Sequence, residues 1–480
     1  MPAPTPIVSP FFESPPRVGG RRLLLVSYHF PPDPNVGSLR WEMMLRHAAE
    51  DGWCADVLMM ETGDGPQFEQ SRLSSLPPGT RLFGVRLPGQ PLVTLLRLRQ
   101  RFVPRARRSA ATASELTKEQ QRPEVRGWTR VLRAVLDRPK RDLLARSYYR
   151  QWRRWAGRAA SYGIALSKAN EYECVISSGP PHMAHDAARQ IAQSTSLKLI
   201  TDFRDPWTSE DVALPGLNGE AWKTLSDRYE RLALEASSLI VTNTASSARF
   251  VKAKYPHLAS NVITIMNGAD PRPESPANPS PRFTIAYAGS LYGGRYPQPL
   301  FRAVRLVAER RGLTSADLAV HFIGVDESQR EPLMQMASRE GIEPFFTCET
   351  WRPRSEAMAL LDRSSILVLL PQVHVHSVPA KLFEYMQRPV WVLVLSEAET
   401  AVAELLRDTA ADVVLPDDVE AIADVIGRRF DESRNGRKPQ PLNADGTFSR
   451  ERQTELLFRE IERVTGPATD AGRRVAPGAA

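Results

Sequence analysis

The chain has 480 residues, of which 42% are hydrophobic, with a formal net charge of +8. This length and composition suffice for two or three domains with apolar cores. Three widely spaced cysteines, Cys54, Cys174 and Cys348, exclude a disulfide scaffold and a CxxC metal site, and they fit a reducing cytoplasm. No apolar run approaches the roughly 18 residues of a membrane span. The Pro-rich start lacks the features of a secretory signal, so we expect residues 1–20 to form a flexible leader.

The positive charge is concentrated in one interval. Between Arg97 and Arg158 the sequence holds nineteen Lys/Arg and five Asp/Glu, a local net charge of +14 that leaves −6 for the remainder. Arg is interspersed with Trp and Tyr here, which is typical of amphipathic helices on an anionic membrane surface. We therefore predict a basic helical insertion over about 91–158. Membrane contact and a plain solvated insertion remain open as interpretations, whereas nucleic-acid binding is disfavoured.

The first half of the chain alternates strands and helices. From Arg22, RRLLLVS indicates an apolar strand, which a loop, a helix and a second strand follow. The same plan recurs in ECVISSGPPHMAHDAARQIA, KLITDFRDPWTSED, SSLIVTNTASSARFVKAKY and NVITIMNGAD. This alternation predicts a doubly wound parallel sheet.

The loop YHFPPDPNVGS places Gly37 and Ser38 just before the first helix. Backbone N–H groups at a helix N-terminus are suited to bind an anion. The loop does not contain G-x-G-x-x-G, which disfavours dinucleotide binding and, with it, an oxidoreductase.

A second α/β domain follows a Pro-rich linker. Apolar strands are predicted in FTIAYAGSLYGG, LAVHFIGV, SSILVLLPQV, PVWVLVL and ADVVLP, and RERQTELLFREIERV predicts a long amphipathic helix. Two such Rossmann-like domains imply a cleft that ligand loops at strand carboxyl ends would face. The predicted boundaries are 21–270 for the first domain, 271–282 for the linker, 283–445 for the second domain, 446–466 for the last helix and 467–480 for a disordered tail.

The stretch HSVPAKLFEYMQRPV predicts a short helix between two core strands. Ser377 and Pro379 are typical of a helix start, and Pro389 ends the helix. Lys381 and Glu384 are three residues apart and share one face. They form either a surface ion pair or a ligand site, since a helix start beyond a parallel strand is a common phosphate site.

Seven motifs occur in register: YHFPPDPNVGSLR, SSGPPHMAH, TDFRDPW, NTASS, MNGAD, YAGSLYGGR and VPAKLFEYM. In this order they resemble the retaining glycosyltransferases of family 4, which have the GT-B fold. The likeness is closest to the bacterial branch that builds exopolysaccharide, O-antigen or capsule. It covers roughly Arg22 to Val464, without most of the basic insertion. The resemblance implies that the second domain binds a nucleotide-diphospho-sugar, that the first receives a saccharide or lipid-linked acceptor, and that the final helix crosses back to the first domain.

The resemblance implies a donor site in the second domain. Glu384 matches the family's second signature Glu, which bonds the ribose hydroxyls, whereas the first, which contacts the donor sugar, is replaced by His376. Arg295, in the GSLYGGR loop with Gly289, is a candidate cation for the diphosphate. The family's neighbouring Lys is missing there, and Lys381 is its candidate substitute. Two such cations would stabilise the departing nucleoside diphosphate. No DxD motif is present, so we expect neither a metal ion nor another cofactor.

Asp205 in DFRDPW is the leading acceptor-side candidate, because the family presents a His or Asp near this strand end. A carboxylate there would orient the acceptor hydroxyl or take its proton. The alternative is a structural ion network of Asp202, Arg204 and Asp205 packed on Trp207.

His182 and His185, three residues apart at a helix start, are further candidates for binding the acceptor, although two His alone make a poor metal site. Gly37 and Ser38 would approach the donor phosphate.

Two other functions share this architecture. A sugar-nucleotide epimerase needs several carboxylates in its site, and the motifs supply too few. A non-catalytic nucleotide-sugar-binding protein is the second, since His376 departs from the family pattern. The interpretation favoured by the motifs is a cytoplasmic glycosyltransferase, with peripheral attachment to the inner membrane face through its basic interval.

Overall fold

A computed structural model describes residues 8–17, 19–63, 65, 68–89, 127–209, 219–270, 280–291, 296–352, 354–371 and 375–466. The chain divides into two compact units. Unit 1 comprises Met1–Val241, His257–Val262 and Glu460–Ala480, and unit 2 comprises Thr242–Pro256 and Ile263–Arg459.

The first sheet has eight strands in the order β1-β4-β3-β2-β5-β6-β7-β8. Strand β1 pairs antiparallel with β4, whereas β4, β3, β2, β5 and β6 pair in parallel. The central strands β2, β3, β5 and β6 are almost entirely buried, as expected for a parallel sheet with helices on both faces. Its strands are Phe12–Glu13, Arg21–Ser27, Trp53–Met60, Arg81–Val85, Cys174–Gly179, Lys198–Phe203, Leu239–Thr242 and Val262–Thr264, numbered β1 to β8 along the chain.

The helices of this half are α1 Leu39–Glu50, α2 Gly127–Ala169, α3 Met183–Thr195, α4 Glu220–Glu235 and α5 Ala245–Lys254. Helix α2 contains the part of the basic insertion that the structure describes, and the remainder, residues 91–126, lies outside the described residues. Helices α2, α3 and α4 pack against one another.

The second sheet is parallel throughout, with six strands in the order β11-β10-β9-β12-β13-β14. Its strands are Phe283–Ala288, Leu318–Ile323, Phe346–Glu349, Ile366–Leu369, Trp391–Leu395 and Asp412–Val414, numbered β9 to β14. The accompanying helices are Gln298–Arg311, Glu327–Arg339, Arg354–Arg363, Ala380–Met386, Ala401–Leu406 and Val419–Arg434, numbered α6 to α11.

Both sheets confirm the predicted α/β architecture. In chain order the second sheet runs 3-2-1-4-5-6, the strand order of a doubly wound dinucleotide-binding fold. The central six strands of the first sheet, β4-β3-β2-β5-β6-β7, repeat that order. Large buried side chains such as Phe301, Phe322 and Phe383 fill the space between the second sheet and its helices. Two Rossmann-like units therefore each have their own core.

The last helix, α12, spans Arg450–Thr465. Its residues up to Arg459 belong to unit 2, and those from Glu460 belong to unit 1. Among the described helices, none combines the length and the apolar character that crossing a bilayer requires.

Candidate functional site

The candidate site of unit 2 lies where the strand order of its sheet reverses. The chain goes from β9 outward in one direction and from β12 outward in the other, so loops after these two neighbouring strands diverge. In open α/β sheets, ligands bind at this point beyond the carboxyl ends of the strands. Strand β9 ends at Ala288, and the segment after β12 leads to helix α9.

Lys381 reaches from helix α9 to the carboxyl end of β9. Its Nζ donates to the carbonyl oxygen of Ala288 at 2.6 Å and to the hydroxyl of Tyr287 at 3.2 Å. The ammonium also lies 4.3 Å from the centroid of the Tyr287 ring, within cation–π distance. One helical turn on, the hydroxyl of Tyr385 accepts from the backbone N–H of Ala288 at 3.3 Å. Two residues of one helix face thus hold α9 against the end of β9 and fix a cation there.

Gly289 follows directly and has a φ of +105°. A Cβ at this position would lie 3.1 Å from Nζ of Lys381. The backbone conformation therefore favours glycine here, and a larger residue would also crowd the Lys381 ammonium. The predicted residues Gly289 and Lys381 are in this way brought together by the fold.

Glu384, on the same helix α9, pairs with a residue that is distant in sequence. Its Oε1 accepts from Nη2 of Arg354 at 2.5 Å, and the Glu384 side chain is 15% exposed against 60% for Arg354. Lys381 and Glu384 therefore each have a partner other than one another. Helix α9 begins at Ala380 with Pro379 at its N-cap and no side-chain cap bond, so the prediction that Ser377 caps it is wrong. The proline takes the boundary position because its fixed φ suits a helix start.

His376 is fixed by contacts with the start of helix α5, within unit 2. Its Nδ1 lies 2.8 Å from Oγ of Ser246, and its backbone carbonyl accepts from the hydroxyls of Thr244 at 2.7 Å and Ser247 at 3.0 Å. Its ring centroid lies 5.1 Å from that of Phe250. A donor-sugar contact by His376 stays a prediction, as does the diphosphate role of Arg295, which lies outside the described residues.

In unit 1, the TDFRDPW motif forms a buried ion network at the end of β6. Asp202 is fully buried and accepts from Nε1 of Trp41 at 2.7 Å and from the hydroxyl of Ser178 at 2.9 Å. Nη2 of Arg40 pairs with the same carboxylate at 3.1 Å. Three buried donors satisfy this charge, so Asp202 holds α1, β5 and β6 together.

Arg204 ties two loops of unit 1 to this network. It donates to the carbonyls of Gly37 at 2.9 Å, Gly179 at 3.2 Å and Pro180 at 2.5 Å. Burial lowers the pKa of Arg204, and the carboxylates of Asp202 and Asp205 act in the opposite direction. Asp205 is partly buried. The structure thus joins Asp205 electrostatically to Arg204, and its role toward an acceptor stays a prediction.

Ser38 holds the Gly37 loop from within. Its buried Oγ lies 2.9 Å from the carbonyl oxygen of Asp33 and 2.7 Å from that of Asn35, so its one O–H donates to one of them, and it accepts from Arg72 at 2.9 Å. The backbone N–H of Gly37 donates to Oδ1 of Asn35 at 2.9 Å. Phosphate binding by this loop stays a prediction.

His182 and His185 lie inside unit 1, with exposures of 8% and 0%. The His182 ring stacks on Trp207 at 5.0 Å, and Nδ1 of His185 lies 2.9 Å from the hydroxyl of Ser177. Burial lowers the pKa of His182 well below its usual value and that of His185 to about 3. Within the described residues, both nitrogens of His182 and Nε2 of His185 have no hydrogen-bond partner. Both imidazoles are therefore neutral at pH 7, and acceptor binding by either stays a prediction.

The sequence did not indicate Tyr287, Tyr385 and Arg354 as parts of the unit 2 site. The one available signal was the spacing of Lys381 and Tyr385, four residues apart on one helix face. Across the described residues, no group of three His, Cys, Asp or Glu is placed to hold a metal ion.

No protein-family model and no curated protein sequence matches this chain. Its structure is similar to that of Anabaena HepE in complex with UDP and glucose, with a TM-score of 0.59 at 11% identity over 92% of this chain and 100% of HepE. It is also similar to the lipopolysaccharide outer core galactosyltransferase WaaB, with a TM-score of 0.55 at 10% identity over 92% of this chain and 99% of WaaB. A third neighbour is the UDP-forming α,α-trehalose-phosphate synthase of Burkholderia xenovorans in complex with glucose-6-phosphate. Its TM-score is 0.55 at 13% identity, over 92% of this chain and 96% of the synthase. Together with its two parallel sheets, these likenesses show that the chain has the GT-B fold.

Proposed function

We propose that this protein is a glycosyltransferase that moves a sugar from a nucleotide-diphospho-sugar to a saccharide or lipid-linked saccharide. The observation that carries the proposal is the placement of Lys381 beside Gly289 at the switch point of the unit 2 sheet. An ammonium fixed at this point can bind the negatively charged diphosphate, and a glycine there leaves room for the phosphate oxygens. The structural neighbours, among them a complex with UDP, a galactosyltransferase and a UDP-forming synthase, support the same class.

Glu384 is proposed to bind the ribose of the donor. An ionised carboxylate has about four acceptor positions, so the single bond from Arg354 leaves capacity for two ribose hydroxyls. Arg295 is proposed as the second diphosphate cation and His376 as a contact of the donor sugar. With two cations supplied by the protein, we propose that the reaction requires no metal ion.

On the acceptor side, Asp205 is proposed to take the proton of the attacking hydroxyl. His182 and His185 are proposed to help bind the acceptor, and Gly37 and Ser38 to approach the donor phosphate. The bond between the sugar C1 and the diphosphate oxygen breaks with both electrons leaving on the diphosphate. The acceptor oxygen bonds C1 with retention of configuration, as the motif resemblance implies, and its proton passes to Asp205.

We propose, on the support of the motif resemblance, that this activity serves cell-surface polysaccharide synthesis. We propose that the enzyme works in the cytoplasm and attaches to the anionic inner face of the membrane through the interval from Arg97 to Arg158, whose net charge is +14. Attachment of this kind weakens as salt rises, because such attraction is screened within about 10 Å at 0.1 M salt. Equal binding to neutral and anionic vesicles would contradict the membrane location.

A thermal-shift panel of UDP, GDP, TDP and their sugars tests the donor proposal, because a ligand of the native state raises the melting temperature. We expect one nucleotide series to raise it and the others to have little effect. Binding without any transfer or hydrolysis would instead identify a non-catalytic nucleotide-sugar-binding protein. Interconversion of two nucleotide sugars would identify an epimerase.

A further inference from the structure

A cavity of about 580 Å³ opens between helices α2, α3 and α4 of unit 1. Five arginines line it: Arg150, Arg153 and Arg154 from α2, Arg189 from α3 and Arg228 from α4. Its volume lies within the range of small-molecule sites. Two of these arginines, Arg189 and Arg228, lie outside the basic interval of the sequence, so the fold itself concentrates charge here.

Tyr229, which is 5% exposed, also lines the cavity. The guanidinium carbons of Arg153 and Arg228 each lie 5.9 Å from the centroid of its ring. Tyr229 in turn stacks on Tyr149, with centroids 5.8 Å apart and an interplanar angle of 12°. Two guanidinium groups from different helices are therefore held beside one rigid aromatic platform.

The cavity has little negative charge of its own. Asp186 is the one carboxylate among the lining residues described, and it already pairs with Arg189 at 2.6 Å. Within the described part of the chain, Arg150, Arg153, Arg154 and Arg228 form no ion pair. Like charges brought together without counterions repel one another, and a bound polyanion relieves that cost. Arginine is well suited to this ligand because its planar fork matches phosphate oxygens.

An apolar groove continues from the cavity. A second cavity of about 590 Å³ shares the three α2 arginines and is lined by Leu143 and Leu225. Leu143 is 56% exposed, so its side chain is accessible to an apolar ligand. A phosphate site that opens into an apolar groove matches a lipid, whose headgroup is anionic and whose chain is apolar.

We propose that this arginine-lined cavity binds the phosphate headgroup of an anionic membrane lipid, with the start of its acyl chain along Leu143 and Leu225. This inference gives the proposed membrane attachment a specific site. It does not depend on the glycosyl-transfer chemistry, because the cavity contains none of the proposed donor or acceptor residues.

The test compares Arg153→Gln/Arg228→Gln with the wild type in co-sedimentation with vesicles of phosphatidylglycerol and phosphatidylcholine. Each basic residue near an anionic leaflet contributes about 1 kcal/mol, so we expect the double variant to partition about 30-fold more weakly. The control is Arg330→Gln/Arg339→Gln, which removes two exposed arginines of helix α7 and is expected to bind the vesicles as the wild type does. Unchanged melting temperatures establish that all proteins are folded.

Inorganic pyrophosphate in calorimetry distinguishes a lipid from a free anion. Pyrophosphate binding that the double variant loses, without binding of the wild type to anionic vesicles, would overturn the lipid assignment. Equal vesicle binding by the wild type and the cavity variant would also overturn it, while leaving a general membrane location intact. Release of nucleoside diphosphate in vesicle-free solution is expected to be unchanged in the cavity variant, which separates this inference from the proposed function.

Discussion

Replacing Lys381 by Met removes the ammonium from the switch point of unit 2 while keeping an unbranched side chain that fills the same space. The lost contacts are those to the Ala288 carbonyl at 2.6 Å, the Tyr287 hydroxyl at 3.2 Å and the Tyr287 ring at 4.3 Å. A hydrogen bond to a charged group contributes about 1.5–3 kcal/mol, partly offset here because the partly buried ammonium no longer needs desolvation. We expect the melting temperature to fall by a few degrees, since about 1 kcal/mol corresponds to roughly 2–4 °C for a unit of this size.

The effect on nucleotide binding is expected to be larger. Loss of a charge-assisted bond to the diphosphate costs about 1.5–3 kcal/mol, which weakens affinity roughly 10- to 150-fold. Isothermal titration of UDP and GDP into wild type and Lys381→Met measures this directly. Lys252→Met, at an exposed position of helix α5, is the matched control and should bind as the wild type does. Unchanged nucleotide affinity in a folded Lys381→Met protein would refute the assignment of this lysine.

Other predictions test the remaining parts of the site. Glu384→Gln should weaken UDP binding about tenfold or more in calorimetry, because the proposed partners of Glu384 are the ribose hydroxyls. Pyrophosphate has no ribose, so its binding should be unchanged. Equal losses of affinity for both ligands would argue against a ribose contact. Asp205→Asn should lower transfer while donor affinity stays the same, whereas equal loss of both would indicate a structural ion network. EDTA should leave turnover unchanged, and a loss restored by Mg²⁺ would contradict the proposed metal-free reaction. Because burial lowers the pKa of His185 to about 3, the unfolded chain binds a proton below about pH 6.5 that the folded state does not. Stability should therefore fall as pH drops from about 6.5 toward 3, by at most about 1.4 kcal/mol per pH unit for this residue; an equally steep urea-unfolding profile in His185→Gln would show that other groups cause the loss.

The sheets could be predicted from sequence wherever the strands are continuous apolar runs. LLLV in β2, ILVL in β12 and WVLVL in β13 are buried throughout, and each was predicted as a strand. Strands β4 (RLFGV) and β11 (FTCE) were not predicted, because short segments with charged residues or glycine give little periodic signal. They form strands here because they pair with neighbours already present in the sheet.

The candidate site could be predicted only to the level of its local motifs. Lys381 and Glu384 were indicated by their spacing on one short helix, and the fold places that helix against the end of β9. Their partners Tyr287 and Arg354 were not, since such contacts depend on strand order and on packing between segments far apart in sequence. The sequence predicts a network of Asp202, Arg204 and Asp205 because the three residues are close together in one motif. It does not predict that Arg40 and Trp41 of helix α1 bind Asp202, for the same reason.

The proposed function requires that the protein transfers a sugar from a nucleoside-diphosphate donor bound at Lys381. The most direct measurement is the release of nucleoside diphosphate from a panel of UDP-, GDP- and TDP-sugars, followed by chromatography for the wild type, Lys381→Met and Lys252→Met. We expect slow release from one donor series even without an acceptor, because water can replace the acceptor hydroxyl. This release should persist in Lys252→Met and fall at least tenfold in Lys381→Met. Tight binding of a nucleotide sugar with no release from any donor in the panel would contradict the claim.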